Sequence, residues 1–216
     1  YCAPDKAPAV GALPAQSKGH ITFGSFNKFT KITPPVAAAW ANILKAVPTA
    51  RLLVKSMTLG DAAARQFLDD LFQKHGIAPD RYEFAGRSTT VADHLDHYNR
   101  IDIALDTFPY NGTTTTCDAL YMGVPVIVLA GDRHVSRVGV SLLTNAGLGE
   151  FIAESTQRYC DNGINLANDL PRLGELRRTL RSRMLSSALM DASRFTHDLE
   201  HAYRQMWHRW CTKSTR

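Results

Sequence analysis

Four successive threonines, Thr113 to Thr116, follow a glycine and stand between two apolar runs of the sequence. β-Branched side chains are unfavourable inside a helix, so such a run is better suited to a helix start. There, free backbone N–H groups and the positive end of the helix dipole attract an anion, and the hydroxyls add hydrogen-bond donors. Asp118 follows one turn later, where a carboxylate can accept hydrogen bonds from a ribose diol. This pattern favours a nucleotide-phosphate site over a simple N-cap, which would account for one threonine only.

Lysine and histidine side chains supply the other candidate groups. Lys31 lies in the loop after the first predicted strand, where it either neutralises phosphate charge or is an ordinary solvated lysine. His94 and His97 have a spacing that can bind a metal, but no third ligand and no Asp-x-Asp pair accompany them, so no metal site is predicted. His94 is either a contact to the nucleotide base or a structural histidine. No Gly-Lys-Ser/Thr follows the glycine, so the loop is not a P-loop.

Alternating strands and helices must position these groups. Apolar runs at 21–26, 51–55, 81–85, 101–106, 124–129 and 151–153 predict strands, and amphipathic segments between them predict helices. The fold class is therefore α/β, with a doubly wound, mostly parallel, Rossmann-like sheet of about six strands. From about residue 155 the pattern is helical to the end, which predicts a helical C-terminal extension. Ligands of such sheets bind beyond the C-terminal ends of the strands, where the loops with Lys31 and Thr113 lie.

The N-terminal residues differ in composition from the rest. Residues 1–19 are rich in Pro, Ala and Gly without periodicity and predict an interlobe linker or a frayed end, with the nucleotide-binding domain spanning 20–216. The 216 residues suffice for one large α/β domain but not for a two-lobed enzyme. With no initiator Met and no signal pattern, we expect a piece of a longer protein, without a membrane span.

The distribution of charge and the spacing of the cysteines argue against a nucleic-acid-binding, zinc-binding or disulfide-stabilised protein. Of the net charge of +5, residues 172–216 contribute a surplus of six, from ten Lys/Arg and four Asp/Glu. Arg177, Arg178, Arg181 and Arg183 predict a solvated or partner-facing surface, because no aromatic residues that could stack on bases are interleaved with them. Nucleic acid is therefore not an expected partner. Four scattered cysteines indicate neither a zinc site nor a disulfide framework, so a cytoplasmic location is expected.

Five stretches resemble the O-linked N-acetylglucosamine transferase and SPINDLY family. They lie in the same order as in that family and together cover nearly everything from His20 to Cys211. The stretches are Phe23-Gly-Ser-Phe-Asn-Lys-Phe-Thr-Lys31-Ile-Thr-Pro34, Leu105-Asp-Thr-Phe-Pro-Tyr-Asn-Gly-Thr-Thr-Thr-Thr-Cys-Asp118, Ala119-Leu-Tyr-Met-Gly-Val-Pro125, Ser136-Arg-Val-Gly-Val-Ser-Leu142 and Tyr203-Arg-Gln-Met-Trp207.

The resemblance implies the C-terminal, donor-binding lobe of a two-lobed GT-B fold. Its partners would be a nucleotide sugar, a protein acceptor, a missing N-terminal catalytic lobe and tetratricopeptide repeats. By motif, Lys31 would contact the donor diphosphate as the catalytic cation. Thr113, Thr114 and Thr115 would form the donor-binding helix start, with the phosphate oxygens on Thr114 and Thr115, Asp118 would bind the ribose, and His94 would lie near the base. The implied enzyme is an inverting, metal-independent glycosyltransferase without a cofactor that modifies protein hydroxyls.

Two departures from the family leave the donor open. The animal transferases are similar to His-Thr-Thr-Gly where this chain has Thr113 to Thr116, and they place a lysine where Val91 stands. The Phe-Gly-Ser-Phe-Asn opening and the threonine run look more like SPINDLY, whose plant members use GDP-fucose. N-acetylglucosamine from UDP-N-acetylglucosamine is the first expectation, and GDP-fucose is the alternative.

Two other functions stay open at this point. One is a nucleotide-sugar epimerase, which can share the GT-B architecture and needs no acceptor. The other is a non-catalytic sugar-nucleotide-binding scaffold, against which an intact Lys31 and Thr114 argue. If the protein is a two-lobed transferase, we expect this chain alone to be inactive, because the acceptor-side groups would come from the other lobe.

Overall fold

A six-stranded parallel sheet forms the centre of the computed structural model, which describes residues 1–213, with the backbone alone for Lys213. The strand order is β3-β2-β1-β4-β5-β6, and every neighbouring pair is parallel. The prediction of a doubly wound parallel sheet is confirmed. The strands are β1 Thr22–Ser25, β2 Arg51–Lys55, β3 Tyr82–Ala85, β4 Ile103–Leu105, β5 Val126–Leu129 and β6 Ile152–Ala153.

Nine α-helices alternate with or follow the strands in the described residues. Several begin at residues that suit a helix start: Asp61 accepts from two backbone amides, Thr90 forms a capping box with Asp93, and Pro34 opens its helix. The helices are α1 Pro14–Lys18, α2 Pro34–Ala46, α3 Ala62–Lys74, α4 Val91–Asp96, α5 Thr114–Tyr121, α6 Val138–Asn145, α7 Thr156–Ala167, α8 Leu170–Leu185 and α9 Ala192–Lys213.

Helices cover the sheet and bury its strands. α2 packs against α3 and α7, whereas α5 packs against α6 and α8. All residues of β1 and β4 are buried, as expected for parallel strands with helices on both faces. Trp40 of α2 donates its ring N–H to the Tyr159 hydroxyl of α7 at 3.0 Å, so these two buried aromatic residues also satisfy each other's polar atoms.

The strand order reverses between β1 and β4, which are direct neighbours in the sheet. Phe23 lies opposite Ile103 and Gly24 opposite Ala104. A Cβ atom on Gly24 would lie 2.5 Å from the Ile101 side chain, so only glycine permits this close approach. The loops that leave β1 and β4 consequently start side by side, at the topological switch point where open α/β sheets bind ligands.

The N-terminal segment is packed, so the frayed end considered for residues 1–19 is wrong. Leu13 and Ala15 are buried, and the Ala15 amide donates to the Asp102 carboxylate at 2.9 Å. Arg177 is only 3% exposed and donates to the carbonyls of Gly11 and Ile101. The segment is thus fixed by long-range hydrogen bonds rather than by local sequence. Whether it also links two lobes stays a prediction.

The arginine surface predicted on the C-terminal helices is wrong for two of its four members. Arg177 is buried as described, and Arg181 is half-buried, donating to the carbonyls of Tyr121 and Pro8. Arg178 is exposed, and Arg183 lies 3.4 Å from the Glu175 carboxylate. Buried carbonyls at the end of α5 and in the N-terminal segment take up the guanidinium donors, which the charge count alone could not show.

The last helix stands away from the sheet. Every described side chain between residues 192 and 212 is exposed, including Trp207 at 64%. The Trp207 helix therefore does not pack back across the sheet, and we predict that it packs towards another lobe of the intact protein. Residues 214–216, part of the predicted domain, lie outside the described residues. Within residues 1–213, no helix combines the length and the hydropathy that a membrane span requires.

Candidate functional site

Lys31 ends a short 3-10 turn, Phe29–Lys31, in the loop after β1. Its Nζ donates to the Asn111 carbonyl at 2.8 Å and lies 3.8 Å from the centre of the Tyr110 ring. Burial lowers the pKa of Lys31, while the nearby Asp106 carboxyl acts in the opposite direction. Among the described residues no carboxylate forms an ion pair with Lys31, so its charge faces the loop after β4 and remains available to an anion.

The loop after β4 is organised by the buried carboxyl of Asp106. Its Oδ1 accepts from the Gly112 amide at 2.7 Å, the Thr107 amide at 2.8 Å and the Asn27 side chain at 3.0 Å. Burial raises the pKa of Asp106 to about 6, against the lowering effect of these three donors. Oδ2 is buried without a hydrogen-bond partner. Asp106 therefore shapes the turn that precedes the threonines.

The four threonines are not equivalent. Thr113 precedes α5 as its N-cap residue without a side-chain capping bond, and Thr113 and Thr114 are exposed. Thr115 is half-buried and donates its hydroxyl to Asn27 Oδ1 at 3.2 Å, while Thr116 is buried. Of the four hydroxyls, those of Thr113 and Thr114 are open to a phosphate, whereas the Thr115 hydroxyl, predicted to hold a phosphate oxygen, is bonded to Asn27. The exposed helix start still offers its free N–H groups to an anion.

His94 and Asp118 lie on opposite sides of one gap, with His94 Nε2 3.9 Å from Asp118 Oδ2. Burial lowers the pKa of His94 to about 4, and the charges of Lys55 and His97 add to the effect, so the ring is neutral at neutral pH. Burial raises the pKa of Asp118, whose Oδ1 accepts a short hydrogen bond from the Tyr1 hydroxyl. Oδ2 is left facing the histidine.

A cavity of about 620 Å³ opens beside this gap. Its wall is formed by side chains that follow β1, β2 and β3 together with α4. The Phe26 ring forms part of this wall, 6.2 Å from the His94 ring. The lining residues include Phe26, Asn27, Lys55, Arg87, Val91 and His94.

Asn27 and Tyr98 join the two halves of the site. Asn27 bonds both Asp106 and Thr115, and it also lines the cavity. The Tyr98 hydroxyl donates to the Thr115 carbonyl at 3.0 Å, and its ring lies 5.9 Å from His94. The structure thus brings Lys31 to the threonine loop and His94 to Asp118, and it places the two pairs in one connected site.

The residues of this site that were not predicted from the sequence include Asp106, Lys55, Asn27 and Tyr1. Asp106 and Lys55 are charged residues at the ends of apolar strands, a position that brings a side chain to the ligand edge of a parallel sheet. That signal was available for Asp106, whereas a lysine at the end of a strand is usually solvated. Asn27 and Tyr1 carry no such signal, because their partners are 79 and 117 residues away in the chain.

The histidine pair does not form a metal site in this structure. His94 Nδ1 faces Lys55 and His97 Nδ1 faces the Asp93 carbonyl. No three His, Cys, Asp or Glu side chains within residues 1–213 are grouped so that they could hold a metal ion. Metal independence itself stays a prediction.

A larger cleft, of about 850 Å³, lies between the N-terminal segment and α8. It is lined by Leu13, Leu170 and Arg177 among others, and Arg177 is already saturated by carbonyls. None of its lining residues belongs to a loop that leaves the C-terminal end of a strand. Volume alone therefore does not make it the functional site.

A doubly wound parallel sheet with a cation, a helix start and a carboxylate at its switch point is an arrangement in which open α/β domains bind anionic ligands. The sequence pattern of glycosyl transferase family 41 matches residues 12–199. The chain belongs to glycosyl transferase family 41.

Three curated relatives of the chain are plant proteins. It is 46% identical over 211 residues to the barley (Hordeum vulgare) protein named "Probable UDP-N-acetylglucosamine--peptide N-acetylglucosaminyltransferase SPINDLY", covering 98% of this chain and 22% of that protein. The rice (Oryza sativa subsp. japonica) protein of the same name is also 46% identical, with 98% and 23% covered. An Arabidopsis thaliana relative whose name ends in SEC is 34% identical, with 88% and 19% covered. The chain therefore spans about a fifth of these relatives.

A solved O-GlcNAc transferase mutant from Thermobaculum terrenum matches this structure with a TM-score of 0.88 and 39% identity. The match covers 98% of this chain and 40% of that one. Together with the sheet, it assigns the C-terminal half of a GT-B glycosyltransferase fold. Anabaena HepE, solved with UDP and glucose, matches with a TM-score of 0.59 and 12% identity. The match covers 87% of this chain and 51% of that one, and it shows a similar fold alone.

Proposed function

We propose that this chain is the donor-binding half of a protein O-glycosyltransferase that transfers a sugar, first of all N-acetylglucosamine, from a nucleotide sugar to Ser or Thr hydroxyls. The observation that carries the proposal is the meeting of Lys31 with the loop before α5 at the switch point of the sheet. Family membership and the names of the relatives support the reaction class.

In this proposal the donor diphosphate lies between Lys31 and the start of α5. The Lys31 ammonium and the first-turn N–H groups, with the Thr113 and Thr114 hydroxyls, neutralise the charge that grows on the leaving diphosphate. Thr115 contributes through its backbone and by holding Asn27 in place. The bond between the sugar's anomeric carbon and the phosphate oxygen breaks, and its electron pair leaves with the diphosphate.

The acceptor hydroxyl attacks the anomeric carbon from the opposite face, which inverts the configuration, and its proton passes to a group outside this chain. Lys31 takes the part that a metal ion plays elsewhere as the electrophile at the diphosphate, so the reaction needs no cofactor or metal. Asp118 binds the ribose, and His94 lies at the boundary of ribose and base, with the base in the cavity beside Phe26.

Two donors fit this site, and one observation favours each. The names of the relatives favour UDP-N-acetylglucosamine. Val91, which is 61% exposed at the mouth of the cavity, stands where the animal enzymes have a lysine and favours the GDP-fucose alternative. The epimerase and the scaffold remain the competing functions.

The proposed partners follow from the fraction of the relatives that the chain covers. A further lobe would supply the acceptor side, and helical repeats would recruit protein acceptors. We keep the cytoplasm as the proposed compartment because Cys117 and Cys160 are buried and unbridged, which suits a reducing environment.

The test is a transfer assay with the intact protein that carries this chain, using radiolabelled UDP-N-acetylglucosamine or GDP-fucose and a pool of acceptor proteins. We expect labelled protein in the presence of excess chelator, and no label with the 216-residue chain alone. An altered sugar nucleotide formed without acceptor would establish the epimerase instead. Binding without any turnover would establish the scaffold.

A further inference from the structure

Lys55 is the last residue of β2 and is a buried cation, with only 5% of its surface exposed. Its Nζ lies 2.9 Å from His94 Nδ1. Among the described residues no carboxylate lies within ion-pair distance of this ammonium, although burying a charge without a partner is costly. The imidazole nitrogen is thus the partner that the fold provides.

A protonated lysine can only donate hydrogen bonds. Burial lowers the pKa of Lys55. With Lys55 protonated, His94 Nδ1 carries the lone pair that accepts from it, and the proton of the neutral ring sits on Nε2. A proton on Nδ1 would point at the ammonium, which also disfavours the imidazolium. The ring is held further by Phe26 and Tyr98, whose rings lie 6.2 Å and 5.9 Å away.

The Nε2–H group faces Asp118 Oδ2 across the 3.9 Å gap. One group is a donor and the other an acceptor, and the gap is too long for a direct hydrogen bond. A hydroxyl oxygen placed beside the gap can accept from His94 and donate to Asp118 at the same time. Asp118 cannot turn away freely, because Tyr1 holds its other oxygen.

We propose that Lys55 is a positioning residue of the donor site, which fixes His94 as the Nε2–H tautomer so that His94 and Asp118 together bind one hydroxyl of a nucleotide ribose. This inference rests on the proposed function, and it adds a residue and a specificity to it. The class of ligand it selects is the ribonucleotide over the deoxyribonucleotide.

Several charged or titratable groups face His94 from other elements. They are Lys55 on β2, Asp118 on α5, and His97 and Tyr98 on the turn after α4. Of these, only Lys55 contacts Nδ1 in the described structure. Its removal is therefore the change that frees the tautomer, and it relieves part of the lowering of the His94 pKa, of which burial is the largest cause.

The experiment uses the intact protein and two variants, Lys55→Met, which keeps the length of the stem without the charge, and Lys74→Met as an exposed control on α3. Nitrogen-15 NMR of His94 reports the tautomer directly. Calorimetry compares UDP and GDP with their 2′-deoxy and 3′-deoxy forms. Lys55→Arg, which also only donates, is the conservative rescue.

In the wild type and in Lys74→Met we expect His94 to carry its proton on Nε2. We also expect the ribonucleotide to bind about tenfold more tightly than at least one of its 2′-deoxy and 3′-deoxy forms. In Lys55→Met this preference should fall to about twofold, with mixed tautomers, and Lys55→Arg should restore it.

A wild-type His94 protonated on Nδ1, or an unchanged preference in Lys55→Met, would overturn the inference while leaving nucleotide binding intact. If neither UDP nor GDP binds the wild type, the proposed function fails, and the ribose selectivity fails with it.

Discussion

Asp106 illustrates how burial sets the chemistry of a single residue. The sequence shows only a carboxylate at the end of an apolar strand, whereas the structure gives it three donors on one oxygen and none on the other. Burial outweighs these donors and raises its pKa to about 6. At neutral pH the carboxylate is charged, supports the Lys31 ammonium and holds the turn at Gly112.

This raised pKa predicts a pH-dependent contribution to stability. Asp106 binds a proton more tightly in the folded than in the unfolded chain, so its contribution is fully present below the unfolded pKa near 4 and is lost as the pH rises through 6. Relative to Asp106→Asn, the wild type should lose about 2.4 kcal/mol of unfolding free energy between pH 4 and pH 7. Urea unfolding of both proteins across this range measures the difference. A difference between the two proteins that stays constant with pH would contradict the account.

At the residue scale the sequence predicts some members of the site and not others. Lys31, Thr114 and Asp118 stand in motifs whose spacing has a physical reason, and the structure brings each to the ligand edge of the sheet. Lys55 was not foreseen, because a lysine that ends a strand is usually solvated. Only its position beneath α4 makes it a buried partner of His94.

At the element scale the start of α5 depends on Gly112. A Cβ atom there would lie 2.6 Å from Thr115 Oγ1 and 2.8 Å from Thr116 Oγ1, which is closer than van der Waals contact allows. The glycine therefore lets the loop pass close to the helix that it precedes.

Gly112→Ala should move the first turn of α5 and weaken the binding of UDP or GDP about tenfold, because the helix start would no longer meet Lys31 across the phosphates. Gly149→Ala is the matched control, since a Cβ there has nothing within 4 Å. Calorimetry on the intact protein measures both affinities. Equal affinity in the two variants would show that the position of the helix start does not matter.

Strands and long helices were predictable because each has its own apolar period or cap. Pro34 is the first residue of α2, and Asp61 is the N-cap residue of α3. The five-residue helix α1 has too few residues for a period, and its burial depends on Asp102 and Arg177, which are distant in sequence. Such an element follows from tertiary contacts that a single sequence does not reveal.

At the scale of the whole molecule, α9 differs from the other long helices of the described chain because all of its described side chains are exposed. Its exposed apolar side chains are Phe195, Leu199, Tyr203, Met206, Trp207 and Trp210. A helix with such a face is usually covered by another surface. The relatives are four to five times longer than this chain, so the rest of the protein is the expected cover.

Trp207→Glu should therefore leave the thermal stability of the 216-residue chain nearly unchanged and destabilise the intact protein by about 3 kcal/mol or more. The exposed Arg209→Glu on the same helix is the control and should have little effect in either protein. The measurement is thermal unfolding of the wild type and both variants, each as the isolated chain and as the intact protein. An equal loss in the isolated chain and the intact protein would mean that α9 packs within this chain.

The central claim is that Lys31 and the start of α5 form a diphosphate site. Titration calorimetry of UDP and GDP into the intact protein, in excess chelator, tests it most directly through Lys31→Ala, with the exposed Lys74→Ala as control. Removing a charged contact costs about 1.5–3 kcal/mol, so we expect a tenfold to hundredfold loss of affinity in Lys31→Ala and none in Lys74→Ala. Unchanged affinity in Lys31→Ala, or binding by the wild type only after magnesium is restored, would contradict the account.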